Sequence, residues 1–161
     1  MKRSSRVAFA GAAALLVSAA PPPASPLRFF EGLTESKGTM KVIFAKPYRT
    51  YSRSLGRIQP DGSLSLIQKV EDEGKPVHER RWSIRQVGAG HYSGTMSEAT
   101  GPIDIQEVGG RYHFRFKMNG HMSVDQWLSP QDGGTAAQSV MTIRKFGMPV
   151  ANGEAVIRKL G

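Results

Sequence analysis

The sequence predicts an all-β fold, one antiparallel up-and-down β-barrel of about eight to ten strands preceded by an N-terminal signal peptide. Three observations predict it. After the first two dozen residues no stretch spaces its apolar side chains at three and four over a helical length, turn signals recur about every ten to fourteen residues, and one segment alternates without a break. That segment is Arg111 to Met118. Tyr112, Phe114, Phe116 and Met118 take one face, and Arg111, His113, Arg115 and Lys117 the other. An open meander of this length would leave two exposed edges, which closure into a barrel removes. A two-sheet sandwich has the same rhythm and stands second.

The N-terminal element comes first. Lys2, Arg3 and Arg6 form a basic start, and residues 7–20 are uncharged and built of Ala, Leu, Val, Phe, Gly and Ser, the layout of a secretory signal peptide. Val17 and Ala19 suit cleavage after Ala19, giving a signal peptide over residues 1–19. The run is short for a membrane anchor. Residues 20–26, with Pro21, Pro22, Pro23 and Pro26, read as a stiff extended spacer, and the barrel domain follows over residues 27–161. The expected address is the periplasm or beyond. With no cysteine in the chain, disulfides, thiolate metal sites, thiol nucleophiles and lipoprotein processing are all excluded. The net charge is +9, and losing Lys2, Arg3 and Arg6 leaves +6. Such a protein is drawn to anionic membrane surfaces, although its Lys and Arg are spread along the chain as on an ordinary soluble surface.

Strands are expected over residues 39–45, 49–58, 91–96, 102–108, 111–118, 121–128, 139–145 and 154–160. Two further strands are marked by Leu64, Leu66 and Val70 alternating with Ser65 and Lys69, and by Trp82 and Ile84 alternating with Arg81, Ser83 and Arg85. Between them lie Pro60-Asp61-Gly62, Gly74-Lys75-Pro76, Gly88-Ala89-Gly90, Gly109-Gly110, Asn119-Gly120 and Asp132-Gly133-Gly134. Asn119-Gly120 is the sharpest, because Asn and Gly best tolerate the two positive φ angles of a type I′ hairpin turn. The acidic run Glu71-Asp72-Glu73 abuts Gly74 and reads as a solvated hairpin tip.

Six local patterns in order, Phe29-Phe30-Glu31-Gly32, Asp61-Gly62, Arg81-Trp82-Ser83-Ile84, Gly90-His91-Tyr92-Ser93-Gly94, Asp125-Gln126-Trp127-Leu128 and Lys145-Phe146-Gly147, cover nearly all of the chain from Phe29 onward. Together they resemble a family of bacterial exported proteins catalogued as domain of unknown function 3833, grouped with the lipocalin-like (calycin) barrels. The resemblance implies a lipocalin-like barrel and export. It carries no established activity. Members often look like lipoproteins, and this chain departs from them in lacking the lipobox cysteine.

Chemistry-bearing constellations are sparse. His78, His91, His113 and His121 show no metal-helix or hydrolase spacing and read as solvated surface residues. His113 and His121 flank the Asn119-Gly120 turn and would oppose each other on paired strands, which is still an incomplete zinc site. His121 and Asp125 share a strand face and suggest a polar cluster at the barrel end, whereas the plainer reading has Asp125 capping backbone amides and Trp127 plugging the barrel floor. No phosphate-cradling loop, nucleophile elbow or dinucleotide fingerprint is present, so no enzyme, cofactor or metal is expected. The basic-aromatic alternation of residues 111–118 suits nucleic acid, but an exported address argues against it.

What remains is the barrel interior, which in a small barrel is either filled or holds one small ligand. Trp82, Tyr92, Tyr112, Phe114, Phe116, Asp125 and Trp127 are the expected ligand-binding residues, with Leu64, Leu66, Met118 and Val124 beside them. The first functional expectation is an envelope barrel binding a lipid or other small apolar molecule, with Arg49, Arg53 and Arg57 on the rim for an anionic headgroup. The second is a non-enzymatic envelope protein with a filled barrel and an exposed apolar patch for a protein or membrane partner. A third inverts the barrel, placing Phe114 and Phe116 in outer-membrane lipid.

Overall fold

The computed structural model describes residues 25–161, so the expected signal peptide and the spacer up to Ala24 lie outside the described residues. Ser25 and Pro26 do not extend a spacer. The Ser25 hydroxyl accepts a hydrogen bond from the Leu27 amide at 3.2 Å and caps a one-turn helix, α1 (Pro26–Phe29), with proline at its first position where no donor is lost.

Ten strands follow: β1 (Gly32–Val42), β2 (Tyr48–Ile58), β3 (Leu64–Val70), β4 (His78–Gly88), β5 (His91–Met96), β6 (Ile103–Val108), β7 (Arg111–Met118), β8 (Met122–Gln131), β9 (Ala136–Lys145) and β10 (Met148–Leu160). Each pairs antiparallel with the next, and β1 pairs with β10 from Leu33↔Leu160 to Val42↔Ala151, which closes the barrel. The sandwich is thereby excluded. The sheet is the up-and-down meander that the turn rhythm implied.

Several boundaries differ from expectation: β8 runs on to Gln131 and β9 begins at Ala136, and the larger differences lie in β1, β10 and the β7–β8 loop. β1 begins at Gly32 and not at Thr39, because its inward positions are Thr34, Ser36 and Gly38, too small and polar to register as an apolar face. It also stops at Val42. Residues 43–47 are a turn. β10 starts six residues early, at Met148, after a turn through Phe146 and Gly147. The β7–β8 connection is a three-residue loop between Met118 and Met122, and its positive φ angles fall on Gly120 (77°) and His121 (57°), not on Asn119 and Gly120.

Alternation sets inside from outside. Leu64, Leu66, Ile84, Tyr92, Met96, Ile103, Ile105, Tyr112, Phe114, Phe116, Val124, Leu128 and Ile157 are buried together, and Leu27 of α1 joins them at the end where β1 starts. This end is closed. The Phe30 carbonyl lies so close to Gly56 that a Cβ there would sit 1.9 Å from the oxygen. Lys159 of β10 donates to the carbonyls of Arg28 (3.0 Å), Phe29 (2.9 Å) and Glu31 (2.9 Å), satisfying the free end of the helix and tying it to the wall. With Phe114 and Phe116 inside and Arg115 and Lys117 outside, the outer wall is charged, the reverse of a membrane-spanning barrel. Among the described residues no helix is long and apolar enough to cross a membrane.

Candidate ligand-binding site

Away from the closed end the barrel is hollow. A cavity of about 340 Å³ runs from Phe30 up to Lys75 and His78, where it opens between the strand ends. Its origin lies in residue size. The inward positions of β10, β1 and β2 pair as Gly153 with Met40, Ala155 with Gly38, Gly38 with Thr50, and Ser36 with Ser52, so this wall carries little side-chain volume. The opposite wall carries Trp82, Met96, Phe116, Val124, Met141 and Ile143. Trp82 meets Phe116 edge to face with centroids 6.0 Å apart.

The two walls also differ in chemistry. The small-residue side presents hydroxyls from Thr34, Ser36, Thr50, Ser52 and Ser54. Inward polar groups on the larger wall are tied up: Trp82 Nε1 donates to Gln68 Oε1 (3.1 Å), Gln68 Nε2 to Ser52 Oγ (3.0 Å) and Gln126 Nε2 to Ser139 Oγ (2.8 Å). Among the described residues no buried side-chain nitrogen or oxygen lacks a partner. At the mouth, inward Arg80 donates to Glu98 at 2.6 Å, with His78 3.3 Å from the same carboxylate. Across from them Lys75 reaches the Tyr48 hydroxyl at 2.8 Å. The cavity is therefore amphipathic, with apolar bulk on one side, hydroxyls on the other and, at its entrance, Lys75 and Arg80 beside the carboxylates of Asp72 and Glu98.

Of the expected ligand residues, Trp82 and Phe116 line this cavity. Tyr92, Tyr112 and Phe114 point inward but sit in the packed closed half, Tyr92 and Tyr112 meeting edge to face at 6.5 Å. Burial first, then the nearby Glu107 and Tyr92, pushes the Tyr112 phenol up to about 12.

Asp125 and Trp127 are a correction. Val124 and Leu128 set the phase of β8 by turning inward, so Asp125 and Trp127 turn outward, and neither caps amides nor plugs the floor. On the outer wall Arg111 lies over the Trp127 ring at 4.5 Å, Trp127 stacks on His113 at 4.2 Å, and His113 meets Asp125, which accepts from Arg144 at 2.9 Å. His113 is thus a half-buried member of a stack and not a solvated histidine. His121 sits in the turn, away from Asp125, and stacks on Phe146 at 4.6 Å. His91 meets Asp104 at 2.7 Å. Partial burial raises Asp104, but hydrogen bonds from His91 and Arg115 outweigh it and hold the carboxyl below its ordinary value. Among the described residues no three His, Asp or Glu side chains converge as a metal site would require.

Arg49, Arg53 and Arg57 are a second correction. They face outward along β2 and do not ring the mouth: Arg49 pairs with Glu73 (3.1 Å) and Arg53 with Glu35 (3.6 Å). The basic side chains that do flank the mouth are Lys75, His78 and Arg80; a loop and the start of β4 bring them there, a placement that local sequence does not carry. The hydroxyl wall was also missed, although Thr50, Ser52, Ser54 and Gly56 alternate with Tyr51, Arg53, Leu55 and Arg57 and were readable as a small-residue face.

A closed meander with one plugged end and one open, partly hollow end defines a lipocalin-like barrel. The model of the family described as Protein of unknown function (DUF3833) matches residues 9–159, and the chain belongs to that family. No curated protein matches the chain. Among solved structures, the S-type phycobiliprotein lyase CPES from Guillardia theta is similar with a TM-score of 0.68 at 8% identity, over 84% of this chain and 90% of that one. Rv2717c from M. tuberculosis is similar with a TM-score of 0.63 at 14% identity, over 85% of this chain and 99% of that one. A protein of unknown function from the DUF3598 family of Nostoc punctiforme gives a TM-score of 0.63 at 8% identity, this chain covering 53% of its length. At these identities the likeness is one of fold.

Proposed function

We propose that the chain is a non-enzymatic barrel of the bacterial envelope that binds one small amphipathic lipid or comparable apolar molecule. The observation that carries this is the one-ended cavity of about 340 Å³, within the ordinary range of ligand pockets. A lipid tail fits against Trp82, Met96, Phe116 and Met141, ester or hydroxyl groups against the Ser and Thr wall, and an anionic head beside Lys75 and Arg80. Similarity to a phycobiliprotein lyase supports a fold able to take a small molecule. The basic, apolar and small-residue N-terminus supports an envelope address.

The test is uptake of a fluorescent fatty acid by purified protein, beside native mass spectrometry of protein prepared without detergent. Met141→Trp fills the cavity from a partly buried position. We expect saturable one-to-one binding by the parent and at least about tenfold weaker binding by the variant with an unchanged melting temperature. Equal uptake by both, or none by the parent together with no retained small molecule, overturns the reading.

A further inference from the structure

The open end of the barrel carries an exposed apolar surface that the cavity does not use. Phe44 is 99% exposed, Phe146 and Met148 are each 71% exposed, and Ile43 is 50% exposed. These residues sit on neighbouring hairpin tips. The β1–β2 turn joins the start of β10 through the Ile43 amide, which donates to the Val150 carbonyl at 2.8 Å. The β9–β10 turn joins the β7–β8 turn through the Phe146 amide, which donates to the His121 carbonyl at 3.1 Å, and through the stacked Phe146 and His121 rings.

The backbone shows that these aromatics are held at a cost. Phe44 has φ 61° and Phe146 φ 50°, left-handed positions that glycine or asparagine fill with less strain. At the closed end the corresponding turns use Gly62, Gly90, Gly109, Gly110, Gly133 and Gly134, with the small polar Asp132 (51°) in place of a ring. Phe146 has the His121 ring on one face and Phe44 is almost wholly exposed, so two bulky rings in strained turn positions leave most of their apolar surface facing solvent, as a contact surface does.

Charge says what that is. Residues 41–47, 117–123 and 144–150, which make up the three tips and their flanks, contain Lys41, Lys46, Lys117, Arg144 and Lys145 and no Asp or Glu. Of these five, only Arg144 is in an ion pair among the described residues, with Asp125. The acidic residues nearest this barrel end lie on the other side of it, Glu71, Asp72, Glu73 and Glu98 in the β3–β4 and β5–β6 loops and Glu79 at the start of β4. A second copy docking on the same patch would set like charges against each other. Apolar tips ringed by long cationic side chains match the boundary of an anionic bilayer, where rings enter the headgroup layer and lysines stay at the phosphates.

We infer that the hairpin tips bearing Phe44 and Phe146 dock the open end of the barrel onto an anionic phospholipid surface. The docking stands on the surface alone and is independent of what the cavity holds. It also points the mouth at the bilayer.

Because the chain has no cysteine, Phe44→Cys and Phe146→Cys each accept one polarity-sensitive fluorophore on the full chain, with Val108→Cys at the closed end as control. Vesicles of phosphatidylcholine alone are compared with vesicles containing about 30% phosphatidylglycerol. The expected result is a blue shift at positions 44 and 146 and none at 108, only with the anionic vesicles, and fading as salt rises towards about 1 M. A shift at 108 equal to that at 44, or no shift at 44 and 146, overturns the inference. So does a shift at 44 that grows with protein concentration without vesicles, which would make the patch an interface between copies. The readout is positional, so it reports the tips whatever the N-terminal residues do.

Discussion

At the residue scale, the wall residues show how strongly one neighbour's phase decides another's role. Asp125 and Trp127 share a strand with Val124 and Leu128, and the apolar pair takes the inside. Gln126 then falls inward as well and is tolerated because Ser139 accepts its hydrogen bond. Tyr112 shows the reverse case, a polar tip carried into the packed half. With its phenol pushed from 10.0 up to about 12, the folded state favours the neutral form more than the unfolded chain does. The stabilisation is therefore complete below pH 10 and is lost as pH rises from 10 towards 12. We expect the melting temperature to fall across that window, and to fall less steeply in Tyr112→Phe; thermal unfolding followed by circular dichroism between about pH 9 and pH 12 checks this.

At the element scale, α1 is too short to be stable by itself and exists because the barrel end receives it. Ser25 caps its start, Lys159 satisfies its last carbonyls, Leu27 enters the core, and Gly56 leaves room for the Phe30 carbonyl. The plug decides which end of the barrel is open. A Cβ at position 56 meets backbone, which cannot swing aside like a side-chain end. Gly56→Ala should cost about 1–3 kcal/mol and loosen the closed end. Urea unfolding gives the first quantity, and faster hydrogen exchange at the amides of residues 27–34 gives the second. An unchanged midpoint would show that α1 shifts without penalty.

At the scale of the whole molecule, closure rests on the seam between β1 and β10, which joins residues more than a hundred positions apart. The seam is built tight. A Cβ on Gly38 would lie 2.0 Å from the Glu154 carbonyl oxygen and 2.6 Å from the Ala155 Cβ. The same small residues that let the strands approach also hollow the cavity, so binding volume and closure share one cause. Gly38→Val should destabilise by at least about 1–3 kcal/mol and lower uptake of the fluorescent fatty acid. A variant with parental stability and uptake would show that the seam can part locally.

Period-two patterning and turn residues, which are local, determined by themselves that this chain is a β-meander and placed Trp82, Tyr92, Tyr112, Phe114 and Phe116 inside. Large apolar side chains on one strand face have only one place to go. Six short patterns also carried the family. Local patterning could not decide between packed core and pocket, because that depends on which strands face each other across the barrel. Only closure set the Gly, Ala, Ser and Thr wall against Trp82, Phe116 and Met141 and left a space between them. Tertiary structure likewise moved Asp125 and Trp127 outside and brought Lys75, His78 and Arg80 to the mouth. It also gathered Phe44, Phe146 and Met148, far apart in sequence, onto one end. Burial, ion pairing and surface charge are sums over neighbours, and a barrel chooses its neighbours only when it closes.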